Sequence, residues 1–293
     1  MTASAQAAQE RRFAAALLAP AFVALVATTT FPLLYLAWTS ARRMDLAMPY
    51  LDGFVGTANY ADMLADGRFW SSLSVSLIYT VSTVILQVAA GLALALFAME
   101  MKRGQALFRA VAILPVVLSP AVVGMVWRTF MLAPEFGIVD YLAISAGLGS
   151  QNWLGDPTLA LVSCIVIHTW QWTPFAFMVL LASLAALPED IYEAARLDRA
   201  GAWARFRRIT LPLLRPAIVM VVIMRTMVAL TAFAAIFTVT GGGPGTATEI
   251  LNLYAYRKSF TELSIGSGSA LAMALLVVTI LVSGALFALR RAR

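Results

Sequence analysis

Residues able to handle a polar solute are sparse in this chain, and most fall inside long apolar stretches. Arg225 is the one basic residue well inside such a stretch. His168, Trp170, Gln171 and Trp172 cluster in a second, and Gln87 sits in a third among serines and threonines. An ionisable residue in hydrocarbon is costly and by default marks a pathway or binding site. Aromatic faces can stack on sugar rings, and glutamine can serve hydroxyls. The same residues have plainer uses. Gln87 can bridge helices, the tryptophans can fill a core, and Arg225 can face a neighbouring helix or a partner subunit. Enzymatic chemistry has little to build on. One His and one Cys (Cys164) exclude a disulfide framework and argue against a Cys/His metal site. Paired carboxylates are missing from the apolar stretches, and no G-x-x-x-x-G-K-[ST] phosphate cradle is present.

The densest charge lies in residues 188–216, an amphipathic island between two apolar stretches. Pro188 suits a helix start, and Glu189 and Asp190 then meet the positive end of the helix dipole. A short helix is expected from about 189 to 200, with Gly201 as its stop. Ile191, Ala194, Ala195 and Asp198 share one shallow face, which a partner protein could approach closely. Glu193 lies beside that face, available to a basic group. A second short helix follows, with Trp203, Phe206 and Ile209/Thr210 toward lipid and Arg205, Arg207 and Arg208 toward water or lipid phosphate. An ordinary amphipathic loop lying on a membrane would carry the same pattern.

These elements must be positioned in a bilayer. Only 12% of the 293 residues are charged and mean hydropathy is +0.84, against roughly 25% charged in soluble domains. A spanning helix needs about 20 apolar residues. Six stretches qualify: 13–38, 73–98, 107–131, 159–182, 213–239 and 270–289. The expected fold is therefore an all-α membrane protein of six transmembrane helices. It forms one domain (13–289) between an N-terminal segment (1–12) and a short tail (290–293). One set of connections holds 14 Lys and Arg and the other 6, which puts the first set, and both termini, in the cytoplasm. The opposite connections, 39–72, 132–158 and 240–268, are all long, and the last opens on the chain-breaking run Thr240-Gly241-Gly242-Gly243-Pro244-Gly245.

Glu193-Ala194-Ala195, Asp198, Ala200-Gly201 and Ile209-x-Leu211-Pro212 resemble the EAA loop of binding-protein-dependent ABC importer permeases. The strict family pattern has Gly six residues after the Glu. Here that position is Arg199, so the turn between the two short helices is expected to shift toward Gly201. Phe54-Val55-Gly56-Thr57-Ala58-Asn59-Tyr60, Leu114-Pro115 to Trp127, Trp170-Gln171-x-Thr173-Pro174-Phe175 and the Gly-Gly-Gly-Pro run are similar to the carbohydrate branch, of the maltose and glycerol-3-phosphate type.

The resemblance implies the type I importer permease fold and a multi-pass subunit of the bacterial cytoplasmic membrane. It also implies a second related permease, two ATPase subunits carrying the ATP and Mg, and an extracytoplasmic solute-binding protein. This chain would bind no cofactor and hydrolyse nothing. Its EAA loop would grip the ATPases during alternating access. Gly241, Gly242, Gly243, Pro244 and Glu249 would lie in a loop facing the binding protein. Relatives often place acids after Arg225, where this chain has Val228 and Ala234; an anionic sugar derivative would suit that departure. Other readings are an ABC permease for an amino acid, polyamine or inorganic anion, or a secondary transporter. The last needs intramembrane acids, which the spans lack.

Overall fold

The computed structural model describes residues 3–291, with side chains for residue 9 and 11–288. Residues 1, 2, 292 and 293, and with them Arg293 of the expected cytoplasmic tail, lie outside the described residues. The backbone forms two compact units.

The first unit holds residues up to Ala65 together with Ala255–Ala274. Helix α1 (Ala3–Ser40) runs straight out of the expected N-terminal segment. A two-residue hairpin follows, β1 (Arg42–Arg43) against β2 (Gly53–Phe54), antiparallel with Arg42 opposite Phe54. Helix α2 (Ala58–Ala65) comes next. Asn59 holds this corner together: its buried amide donates to the carbonyls of Ser40 and Arg42, both at 2.8 Å. The Phe54–Tyr60 motif is thus a joint that ends α1 and orients the hairpin.

The second unit holds Asp66–Tyr254 and the chain from Leu275. Its central pair is α3 (Gly67–Glu100) and, later in the chain, Pro157–Ala185. Between them come α4 (Gln105–Val117), α5 (Pro120–Val126) with a π-turn over Trp127–Met131, and α6 (Ile138–Ser145). The Pro157–Ala185 helix is α7, started by Asp156, whose carboxylate accepts from the Thr158 and Leu159 amides. After it come α8 (Glu189–Leu197), α9 (Ala202–Arg205), a π-turn over Phe206–Thr210 and α10 (Leu211–Leu230). Short helices α11 (Ala234–Val239) and α12 (Leu251–Tyr256) precede α13 (Ile265–Arg291).

Among the described residues, five helices are long and apolar enough to cross a membrane: Arg11–Ser40, Gly67–Glu100, Pro157–Ala185, Ala202–Leu230 and Ile265–Ala288. The sixth candidate is a bent pair. The expected third span, 107–131, is broken into Gln105–Val117 and Pro120–Met131, which meet at 95°. Pro120 supplies no N–H and forces Ser119 into an extended conformation, at φ −60 and ψ 133. The expected fifth span, 213–239, also needs correction. Its helix ends at Leu230, and 234–239 is a separate element. No Gly or Pro marks that break. Instead Asn252 reaches in from α12 and donates to the Thr231 carbonyl at 3.1 Å. At its other end the same helix starts early, because a π-turn carries α9 into α10 across Pro212, and the second short helix expected from sequence is part of the span.

Close contact between α3 and α7 organises this unit. Gly91, Ala95 and Ala98 lie at helical spacing, and the two alanines are fully buried with Ala176 and Phe177 of α7. A Cβ at Gly91 would stand 2.7 Å from the Ala176 Cβ and 2.8 Å from the Phe177 nitrogen. Small residues permit such backbone approach where lipid offers no hydrophobic drive between helices. One apolar cluster gathers these residues with Leu180, Leu184, Leu214 and Val221. A second gathers Tyr79, Val123, Cys164, Ile167, Ile236 and Ile250. Along α3, α7 and α10–α11 the two clusters are separated by Gln87, His168 and Arg225 respectively.

The tight crossing makes a packing prediction. Gly91→Leu should destabilise the folded chain by about 1–3 kcal/mol through overpacking. Ala89→Leu, on the exposed side of the same helix, should change stability by less than about 0.5 kcal/mol. Unfolding in mixed detergent micelles, followed by tryptophan fluorescence, compares the two.

Candidate functional site

The charged island folds as a compact arm at the junction of α7 and α10. Helix α8 begins after Pro188 and ends at Leu197, three residues earlier than the sequence suggested. Asp198 caps it, and Arg199 takes a left-handed conformation at φ 55. The amide of Ala200 donates to the Ala195 carbonyl at 2.9 Å and that of Arg199 to the Arg196 carbonyl at 3.0 Å. This is a Schellman stop. The turn has therefore not shifted toward Gly201. Arg199 occupies the left-handed position itself, and Gly201, at φ −64, caps the start of α9. Tyr192 ties the two helices together, its hydroxyl 2.9 Å from that of Thr210.

Of the face expected to point outward from α8, Ile191, Ala194 and Asp198 are exposed. Ala195 is buried against its own chain. Asp190, Glu193, Ala194 and Leu197 point outward within about 100° of arc. Leu197 is 85% exposed, an apolar tip set in a charged surface. Sequence reasoning missed it because the EAA pattern draws attention to the alanines. Of the remaining loop residues, Asp198 and Leu211 are exposed, Ile209 is half-buried, and Pro212 lies in the first turn of α10. Trp203 is 69% exposed and stacks on Phe206 at 5.5 Å.

Four of the six polar and aromatic residues singled out within the spans meet in one cluster. Arg225 Nε donates to Gln87 Oε1 at 2.8 Å. Gln87 Nε2 lies 3.2 Å from both the backbone oxygen and Nδ1 of His168. The guanidinium carbon stands 4.5 Å from the Trp172 ring centre and 5.8 Å from that of Phe175. Gln87, His168 and Arg225 are buried, while Trp172 and Phe175 are partly exposed. Phe175 was not singled out from sequence, although it ends the Trp-Gln-x-Thr-Pro-Phe motif one helical turn after Trp172.

Trp170 and Gln171 go elsewhere. Trp170 packs edge-on against Trp127 at 5.6 Å. Gln171 Nε2 donates to the Leu118 carbonyl at 3.0 Å, covering backbone exposed by the break between α4 and α5. Broken backbone at membrane depth needs such a donor.

The Gly-rich loop closes on itself. Gly241, Gly242 and Gly245 all have positive φ (61, 95 and 57), and the Thr240 and Thr248 hydroxyls meet at 2.7 Å. Glu249, expected to face a docking partner, is fully buried. Its carboxylate accepts from Arg68 Nε at 2.7 Å and Nη2 at 2.8 Å, which ties the loop to the start of α3. Gly242 is buried as well, leaving Gly241, Gly243 and Pro244 partly accessible.

A further buried acid organises the 132–158 connection. Asp140 accepts hydrogen bonds from the amides of Gln151 and Glu135, the Ser150 hydroxyl and the Trp153 indole, at 2.7–2.8 Å. The Gln151 amide leads, with Ser150 next, in holding this carboxyl well below the usual carboxylate range.

Comparison with known proteins places these features. A family described as "Binding-protein-dependent transport system inner membrane component" matches residues 87–292. The trehalose/maltose transport system permease protein MalF of Thermococcus litoralis is 32% identical over 272 residues, 92% of each chain. The sulfoquinovosyl glycerol transport system permease protein SmoG of Agrobacterium fabrum is 33% identical over 274 residues, 94% of this chain and 89% of its own. Among solved structures, a bacterial ABC transporter involved in the import of the acidic polysaccharide alginate matches with a TM-score of 0.85 and 20% identity over 98% of both chains.

Two outcomes follow from the geometry. A non-glycine residue at positive φ carries strain of about 1 kcal/mol. Arg199→Gly should therefore slow hydrogen exchange at the Ala200 amide by roughly fivefold, and Arg199→Val should speed it. For the Asp140 knot the sign is that of a lowered acid. Its stabilisation is present above the ordinary carboxylate pKa and is lost as pH falls through the depressed folded value. The 133–153 segment should thus resist pepsin at pH values where free carboxylates are already protonated, whereas Asp140→Asn should be cut there.

Proposed function

We propose that this chain, which belongs to the family of binding-protein-dependent transport system inner membrane components, is one of two related membrane subunits of an ATP-driven importer for a sugar or sugar derivative. Two separate ATPase subunits drive it, carrying the ATP and Mg, and an extracytoplasmic solute-binding protein feeds it. The chain sits in a cytoplasmic membrane with both termini inside.

The observation that carries this reading is the arm between α7 and α10. It joins two membrane-spanning helices, it is fixed by the Tyr192–Thr210 contact, and it presents Glu193, Ala194 and the bare tip of Leu197. A rigid arm of this kind converts displacement of a docked partner into displacement of both helices. α7 and α10 also carry His168, Trp172 and Arg225, so motion of the arm bears directly on the polar cluster. The sugar assignment draws on the relatives named for trehalose/maltose and sulfoquinovosyl glycerol. It also draws on the partly exposed aromatic faces of Trp172 and Phe175 beside hydrogen-bonding groups, a pairing that suits a sugar ring.

Docking through α8 makes Leu197 a contact residue. Burying a leucine stabilises an interface by about 1.5–3 kcal/mol. Leu197→Asp should therefore weaken ATPase binding by roughly 10–100-fold, with the permease still folded. Co-purification of the ATPase subunits with the variant measures this. Full recovery of the ATPases would remove α8 as the docking element.

A further inference from the structure

Arg225 is a buried cation without a counter-charge. It is 2% exposed, and no ion pair to it exists among the described residues. No Asp or Glu occurs between residues 159 and 182 or between 213 and 239. A guanidinium offers five N–H donors. Here Nε is satisfied by the neutral amide of Gln87, and Nη2 is buried with no hydrogen-bond partner. The other end of Gln87 lies against His168.

A residue needed only for helix packing would be cheaper as a neutral side chain, since an unpaired buried charge is among the costliest groups in a membrane fold. The remaining support is the indole of Trp172 over the guanidinium, a cation–π contact that a true anion outcompetes. Trp172 and Phe175 are partly exposed where Arg225 is not, and their rings stand 4.5 and 5.8 Å from its guanidinium carbon.

We propose that Arg225 is the charge-recognition residue of the solute path and that the transported ligand is an anionic saccharide. Its carboxylate, sulfonate or phosphate pairs with the free edge of the guanidinium and displaces the Trp172 indole, while Phe175 and the displaced indole line the sugar ring. This rests on the sugar-importer reading and narrows its substrate class.

The importer, assembled with its partner permease, ATPases and binding protein in proteoliposomes, provides the test. Uptake is measured for methyl glucoside, methyl glucuronide, a 6-sulfonated glucoside and glucose 6-phosphate, in wild type, Arg225→Gln and Arg225→Lys. The expected result is uptake of one or more of the anionic sugars. In Arg225→Gln that uptake falls by about tenfold or more, the scale of one lost charge-assisted hydrogen bond. Arg225→Lys recovers part of it, and both variants yield the assembled complex as wild type does.

Transport confined to the neutral glucoside overturns the proposal and leaves the sugar reading standing. Anionic uptake within twofold of wild type in Arg225→Gln overturns it too, as does a parallel fall of complex yield and uptake in both variants. An importer that carries none of these sugars but an amino acid or an inorganic ion removes the sugar reading together with the proposal.

Discussion

At Gly91 the backbones of α3 and α7 come close enough that no side chain fits between them. Lipid tails are as apolar as leucine, so membrane helices associate through close packing and through polar groups that find partners. Both devices operate along this one crossing. On one side of the polar layer are the Gly91, Ala95 and Ala98 positions against Ala176 and Phe177. At the layer itself Gln87 of α3 bonds His168 of α7 and Arg225 of α10. Moving either helix would disturb the packing and the charge together.

Polar side chains from neighbouring helices let the fold tolerate broken helices. The Leu118 carbonyl at the α4–α5 break is met by Gln171 of α7, and the Thr231 carbonyl at the end of α10 is met by Asn252 of α12. In hydrocarbon each orphaned carbonyl would be expensive. The polar side chains of the spans thus divide into two kinds. Gln171 and Asn252 repair backbone. Gln87 and His168 position a cation whose own capacity is unfilled.

Much of the architecture was legible because long apolar runs are a property of sequence. Helices α3, α7 and α13 lie where hydropathy put them. The breaks were not. Pro120 was visible, yet a proline in an apolar run can kink a helix or end it, and the 95° bend depends on Gln171, 51 residues away in sequence, covering the gap. At Thr231 nothing local signals a stop. Arg199 gave a partial clue. A missing glycine at the family position points to a moved turn, whereas the backbone keeps the turn and accepts the strain at Arg199. The family resemblance implies that Glu249 faces a docking partner, and only the fold reveals Arg68 opposite it. The role of Asp140 shows only in the fold, where four groups from residues 135–153 converge on its carboxylate.

The proposed handle through which ATP hydrolysis reaches the membrane helices is the arm between α7 and α10. Its most direct test is the accessibility of Leu197→Cys to a membrane-impermeant maleimide, applied from the cytoplasmic face. The only native cysteine, Cys164, is buried and gives little background. Labelling should be rapid in the isolated permease and strongly slowed once the ATPase subunits have assembled. Equal labelling with and without those subunits would contradict the account.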